Sequence, residues 1–154
     1  MLFCNSKTLT SKAVRMMMDR AIAMARDFGI AVTVSIVDAG GHLLMLERMS
    51  GGRFHTVHTS TTKAITAASN KRPTGARGAQ GQSLDVMHAM GLALASGPGH
   101  WTAVEGGYPI IVENECLGAI GVSGGTEEQD MEIANAALAA VGAAYTGKYP
   151  DPEG

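Results

Sequence analysis

The fourteen residues from Leu117 to Asp130, LGAIGVSGGTEEQD, constrain the fold more than any other part of the chain. They predict a buried strand, a glycine corner and the start of a helix. Gly124 and Gly125 permit a sharp reversal after the strand. Thr126 and the glutamine three residues later form a capping box, and acidic residues fill the first turn, where the helix dipole favours negative charge. The segment therefore predicts a strand that passes directly into a helix, with a glycine surface beside any pocket.

Length and composition indicate one domain, because 154 residues match a typical domain size. We expect this domain to span 1–154, with a core over about 8–145 and a loose tail rich in Pro and Gly. A net charge of −2, one Trp and three Phe supply neither a basic stripe nor a stacking platform. Nucleic acid is therefore not an expected partner. No apolar stretch is long enough to span a bilayer, so a membrane is not expected either.

The N-terminal region and the cysteines predict a cytoplasmic protein. The N-terminal region lacks the unbroken apolar run of a signal peptide, because it is interrupted by the charged residues Lys12, Arg15 and Asp19. Cys4 and Cys116 are the two cysteines, and we expect both to be reduced.

Periodicity and turn signals predict an α+β fold. We expect helices over about 10–28, 54–70, 83–95 and 127–144, and strands over about 31–37, 42–48, 101–104, 108–113 and 116–122. Strands joined by tight turns are antiparallel. The expected architecture is an antiparallel five-stranded sheet with flanking helices, which is an α–β sandwich.

His55 and His58 are the sharpest chemical feature, because an i, i+3 pair on a helix shares one face. Such a pair can ligate a haem iron, act as acid and base, or stand as two surface histidines. Two histidines without a third ligand do not define a zinc site, so we assign no metal. Glu105 either accepts a proton beside these imidazoles or is a solvated acid in a turn. His88, inside an apolar helix, is expected to be a packed core residue.

Further candidates for ligand binding lie on the predicted turns and loops. Arg48 and Arg53 flank a Ser-Gly-Gly break and can hold a carboxylate or cover the surface. Trp101 follows a Gly-Pro-Gly loop, where functional residues concentrate. The backbone can approach a ligand closely at three further positions: Gly106, Gly107 and Gly121.

Two motif readings of the glycine corner are rejected. Residues 121–125, GVSGG, match the G-x-S-x-G pattern of a hydrolase nucleophile elbow. That fold needs a histidine after the serine, and the last histidine of the chain is His100. A phosphate at the helix start would meet the acidic residues Glu127, Glu128 and Asp130.

Three segments carry a family resemblance: VDAGGHL at 37–43; RMSGG at 48–52 with KA at 63–64 and TA at 66–67; and GGYPI at 106–110 running into GAIGVSGG at 118–125 and EQD at 128–130. Together they resemble the GlcG/HbpS-like family, which includes the C-terminal domain of PduO-type proteins. The likeness spans about 8–143. It implies an antiparallel sheet with flanking helices, assembled into dimers and often octamers. It also implies haem or a corrinoid as ligand, and a place in a catabolic operon.

This chain departs from the family pattern at three positions. His55 and His58 replace apolar or small residues, and Glu105 stands where proline is usual. Two hypotheses follow. In the first, the protein binds a haem-type small molecule with His55 or His58 as the axial ligand.

In the second hypothesis, the protein is a catabolic isomerase, hydrolase or deaminase acting on a small carboxylated substrate. His55, His58 and Glu105 then transfer protons, and Arg48 or Arg53 holds the carboxylate. A homo-oligomer, from dimer to octamer, is expected in either case. Four alanines of the last helix are predicted to allow close helix approach between subunits: Ala134, Ala137, Ala140 and Ala144.

Overall fold

The computed structural model describes residues 1–147, so most of the predicted tail from 145 onward lies outside the described residues. That part of the chain forms four helices and four strands. In chain order they are α1 Ser11–Phe28, β1 Thr33–Asp38, β2 Leu43–Arg48, α2 Thr56–Asn70, α3 Val86–Ser96, β3 Gly107–Val112, β4 Glu115–Ser123 and α4 Glu127–Ala139. None of these helices is long and apolar enough to cross a membrane.

The four strands form one antiparallel sheet in the order β2-β1-β4-β3. This confirms the α+β class with flanking helices, but the expected fifth strand at 101–104 is wrong. The backbone N–H of Thr102 donates to the Thr66 hydroxyl at 3.0 Å, and that of Val104 donates to the Thr102 hydroxyl at 3.1 Å. Side-chain hydroxyls therefore take the backbone bonds that a strand would give to its neighbour, and the segment is a loop on α2.

Helices α1 and α4 cover one face of the sheet and build the main hydrophobic core. The Thr10 side chain caps α1, and Gly29 ends it in the left-handed conformation. Apolar side chains at helical spacing on α1 meet alternate residues of the central strands, such as Val34 and Ile36 of β1 and Ile120 of β4. The strand pairing that places these side chains on one face leaves the other face free for α2.

Helix α4 ends earlier than the sequence predicts, and only part of its predicted alanine stripe is exposed. Ala134 and Ala137 are fully buried in the core, so the expected subunit contact through these two residues is wrong. Ala140 and Ala144 lie beyond the end of α4 and are exposed, and a subunit contact through them stays a prediction. Gly142 adopts a left-handed φ of 73°, and the N–H of Ala143 donates to the Leu138 carbonyl at 2.9 Å. This closing turn folds Ala143 back into the core.

Helix α2 lies on the opposite face, unusually close to the sheet, through hydroxyl pairs and glycine. The Thr33 hydroxyl is 2.7 Å from that of Thr56, and the Ser35 hydroxyl is 2.8 Å from that of Ser60. Gly121 of β4 sits directly under the α2 backbone, where a Cβ would overlap the Ser60 carbonyl oxygen. The absence of a side chain at 121 thus sets the distance between α2 and the sheet.

Helix α3 stands apart from the rest of the described chain. It has no buried residue and contacts no other helix or strand of residues 1–147. The Asp85 side chain caps it by accepting from the N–H of His88 at 2.7 Å, so the helix begins later than the expected Ser83. His88 is exposed, and its predicted place in the core is wrong because the helix that carries it has no core to face.

We expect Gly121→Ala to lower the free energy of unfolding by about 3 kcal/mol or more, because the new methyl group displaces α2 from β4. Its Cβ would also lie 2.8 Å from the backbone nitrogen of Ala64. Urea unfolding measures the loss. Gly75→Ala is the matched control, since its Cβ would come no nearer than 3.6 Å to any atom, and we expect a change within about 1 kcal/mol. Equal midpoints for the two variants would contradict the packing argument.

Candidate functional site

Two adjoining clefts open along the N-terminal half of α2. The first, of about 290 Å³, is lined by His55, Arg53 and Glu105 together with the corner after β4, and we call it the His55 cleft. The second, of about 300 Å³, is lined by His58 and Trp101, and we call it the His58 cleft. They share three lining residues: Thr59, Lys63 and Val104.

The start of α2 places both imidazoles in reach of solvent. His55 occupies the N-cap position with helical backbone angles, and its side chain makes no capping bond. His58 follows one turn later, and both residues are exposed. The i, i+3 spacing puts the two rings on one side of α2, yet each lines a separate cleft. The structure therefore brings His55 close to Glu105 and the corner, and His58 close to Trp101.

The floor of the His55 cleft is a buried ion pair between Lys63 and Asp130. The side chains are only 3% and 5% exposed, and the Lys63 Nζ lies 3.2 Å from Asp130 Oδ2. Lys63 also donates to the Val122 carbonyl at 2.7 Å, and Asp130 accepts from the Gly125 N–H at 2.8 Å. Burial raises the pKa of Asp130 above its ordinary value, while Lys63 opposes that shift. The pair ties α2 to the corner between β4 and α4.

Glu105 forms one side of the His55 cleft next to a second carboxyl group. A hydrogen bond with Glu127, then burial, and then the charge of Glu127 raise the pKa of Glu105, and Lys63 acts in the opposite direction. Two carboxyls that share a site hold a proton to higher pH than either does alone. Glu105 also borders a larger cleft of about 460 Å³ formed by residues 72–77 with Ser83 and Tyr145.

Hydroxyl groups line the junction of the two clefts. Thr59 of α2 and Ser123 of β4 lie 2.6 Å apart through their side-chain oxygens. The sequence analysis considered Ser123 only as part of the G-x-S-x-G pattern and did not single out Thr59. The pairing joins residues 64 positions apart, so no local pattern could have indicated it. The Lys63–Asp130 pair was missed for the same reason, although both residues lie in the segments that carry the family resemblance.

The remaining predicted residues lie away from the open clefts. Arg48 lines a separate depression with Arg26 and Glu47, so it does not join Arg53. Gly107 and Gly121 are buried against the backbone of α2, and Gly106 is buried against the Val122 carbonyl and the side chains of Lys63 and Asp130. The close backbone approach that we expected toward a ligand is here an approach to other parts of the protein, and a role of these glycines in ligand binding stays a prediction.

The side chains of the two clefts can supply one imidazole ligand to a metal ion that a cofactor already holds. Among residues 1–147, no three His, Cys, Asp or Glu side chains come together in a group that could hold a metal ion. The exposed ring of His58 stands beside the indole of Trp101 and the side chain of Val104. These residues fit a flat, largely apolar cofactor with one axial ligand from the protein.

Comparison with known proteins identifies relatives along almost the whole chain. The family described as "haem degrading protein HbpS-like" matches residues 9–139. An uncharacterised 15.0 kDa protein from the dhaT–dhaS intergenic region of Citrobacter freundii is 31% identical over 137 residues, which cover 85% of this chain and 90% of that protein.

Two solved structures share the fold. The Klebsiella pneumoniae protein ORFY aligns with a TM-score of 0.78 and 31% identity, over 94% of this chain and 97% of that chain. The crystal structure titled as a PduOC–heme complex aligns with a TM-score of 0.77 and 27% identity, over 91% of this chain and all of that chain (100%).

We expect Lys63→Met to lower the free energy of unfolding by about 3–5 kcal/mol at pH 7, because Asp130 is left buried without its cation. Loss of the cation also raises the pKa of Asp130 further. Between the ordinary pKa of the unfolded state and this raised pKa, the folded state holds a proton that the unfolded state has released, so this group's contribution to stability falls as pH rises. The deficit relative to the unmodified protein should therefore shrink from pH 7 to pH 5.

Urea unfolding at both pH values measures this deficit. The double variant Lys63→Met/Asp130→Leu removes both charges and should recover most of the lost stability. A single variant as stable as the unmodified protein at pH 7 would show that the pair does not hold the corner.

Proposed function

Since the chain belongs to the haem-degrading protein HbpS-like family, we propose that it binds haem or a related tetrapyrrole beside α2. The observation that carries the proposal is the match to a relative whose structure is titled as a heme complex, at 27% identity over 91% of this chain. A corrinoid is the second ligand that the resemblance implies.

His58 is the residue that would ligate the haem iron, because the lining of its cleft suits the ligand better than that of the His55 cleft. Among the described residues, the lining of the His58 cleft contains no Asp, Glu or Arg and only one Lys, Lys63, and it includes an indole and a valine. The His55 cleft instead carries three carboxyl groups, which disfavour an apolar macrocycle. Bound haem would supply redox and ligand-binding chemistry at its iron. The protein would provide the His58 imidazole, the wall of Trp101 and Val104, and the Arg53 guanidinium for a carboxylate side group.

A homo-oligomer, from dimer to octamer, is part of this proposal. The exposed apolar surface of α3 supports it, since monomeric proteins rarely leave such a surface uncovered. A cytoplasmic location and a place in a catabolic operon stay predictions of the sequence and the resemblance.

Titration of the purified protein with haemin tests the ligand. We expect a shifted Soret band with saturable binding, and His58→Ala should weaken binding at least tenfold because the axial ligand is lost. His55→Ala should have a smaller effect. His42→Ala is the matched control, since its ring is also exposed but pairs with Asp38 in the β1–β2 turn. An absent Soret shift would overturn the proposal, and a shift that is unchanged in the His55→Ala/His58→Ala double variant would overturn the assignment of a histidine ligand.

Proton-transfer catalysis on a small carboxylated substrate is the second candidate function. It is favoured by the raised pKa of Glu105 in the same cleft as His55. A carboxyl whose pKa is raised holds its proton to higher pH than an isolated glutamic acid, which suits a general acid, and an imidazole in the same cleft can act as the base. Arg53 lines the same cleft and could bind the substrate carboxylate. His58 could exchange protons only from the adjoining cleft.

Exchange of substrate hydrogen for deuterium tests this second function. The protein would be incubated in D₂O with a panel of 2-oxo, 2-hydroxy and unsaturated carboxylic acids, and exchange followed by proton NMR. We expect Glu105→Gln to slow any catalysed exchange about 100-fold, because the proton donor is removed. Glu128→Gln, which changes an acid outside the cleft lining, should leave the rate unchanged. No exchange above the protein-free rate across the panel would count against an enzyme of this class.

A further inference from the structure

Helix α3 is an apolar element without a partner inside the described chain. It has 11 residues, and four of its large apolar side chains are between 60% and 83% exposed: Val86, Met87, Met90 and Leu94. A helix this short is marginal in water unless it packs against another surface. A contact that stabilises α3 must therefore come from outside residues 1–147.

Gly91 stands at the centre of this helix. A Cβ built there would meet no atom of the described residues within 4 Å. Glycine in a helix interior costs about 1 kcal/mol relative to alanine, and nothing in the described chain uses the space it leaves. A glycine at this position is explained when another backbone approaches the helix closely from outside.

The sequence of α3 also suits pairing with itself. VMHAMGLALAS contains no Asp, Glu, Lys or Arg, so two copies can meet without repulsion between like charges. An isologous two-fold contact brings the same patch of both subunits together, and two helices that cross at their midpoints place those midpoints near the axis. Gly91 is that midpoint.

We propose that α3 of a second copy of this chain packs across α3 at Gly91, in a two-fold contact. The four exposed side chains present roughly 500 Å², which is more than half of the about 800 Å² that each partner of a stable dimer buries. The adjoining groove supplies more apolar surface, since it is lined by Leu84, Trp101 and Ala103 beside α3.

This contact would also shape the ligand site, a point that rests on the proposed function. Trp101 and Thr102 line both the groove beside α3 and the His58 cleft. A second copy seated on α3 therefore covers the far side of the loop that carries Trp101. Subunit association and ligand binding are then coupled, and each strengthens the other.

Size-exclusion chromatography with light scattering tests the contact, on the full chain at micromolar concentration. Gly91→Glu and the double variant Met87→Glu/Leu94→Glu should lower the molecular mass at least twofold. Far-UV circular dichroism should lose no more helical signal than the 11 residues of α3 account for, because that helix loses its stabilising contact while no buried side chain is altered. Met16→Glu is the control, since Met16 is an exposed apolar residue on α1, and it should keep the original mass.

Two spectroscopic readings link the contact to the site. Trp101 is the single tryptophan, so its emission should move to longer wavelength in the α3 variants but not in the control. Haemin should also bind these variants at least threefold more weakly.

The outcomes separate the proposals. An unmodified protein that is monomeric would overturn both the oligomer and the α3 contact. An oligomer that survives both α3 variants would overturn the contact alone. Loss of the oligomer with unchanged haemin affinity and unchanged emission would overturn the coupling to the His58 cleft. An unmodified protein that associates through α3 but binds no haemin would support the contact and reject the proposed ligand.

Discussion

The close approach of α2 to β4 determines how the His55 cleft is built. Gly121 leaves room for the α2 backbone, and hydroxyl pairs between helix and strand satisfy the polar groups in the narrow space. Because α2 packs so close to the sheet, its first turn reaches the corner after β4. His55 then shares a cleft with Ser123 and Gly124, which are far away in sequence.

The Lys63–Asp130 pair holds this arrangement at a cost in desolvation. A buried ion pair contributes little net stability compared with an apolar pair, and removing one partner is strongly destabilising. Its value here is positional, since it joins α2 to the corner through the Val122 carbonyl and the Gly125 N–H. The same contact therefore forms the floor of the cleft and fixes the position of α2 against the corner. Variants at Lys63 or Asp130 change both at once, which is why Glu105 and His58 are better probes of function.

Local patterns predicted the elements well where the interactions are local. Helix α1 has its cap and apolar stripe within one segment, and the corner from Leu117 to Asp130 carries its own capping box. The strand expected at 101–104 failed because its amides bond to threonine hydroxyls, including that of Thr66 on α2. His88 was wrongly expected in the core, because an apolar helix was assumed to pack against a core.

The site was predictable only as a set of separate residues. His55, Glu105 and Arg53 were singled out for their chemistry, and they line one cleft. The spacing of these residues in the sequence could not indicate that Arg48 lies in a different depression. It also could not indicate that Lys63 contacts Asp130, which is 67 positions away. Such pairs depend on how the helices pack on the whole sheet. This packing cannot be inferred from the identity and position of single residues.

The loop from 97 to 105 is attached to α2 through threonine hydroxyls. The Thr102 N–H donates to the Thr66 hydroxyl at 3.0 Å, and the Thr62 hydroxyl donates to the Gly99 carbonyl at 3.1 Å. Segments held this way open with a free energy well below that of global unfolding, and their amide hydrogens exchange early. A bulky, flat molecule could thus enter beside Trp101 by lifting one loop, while the strands beneath keep their pairing.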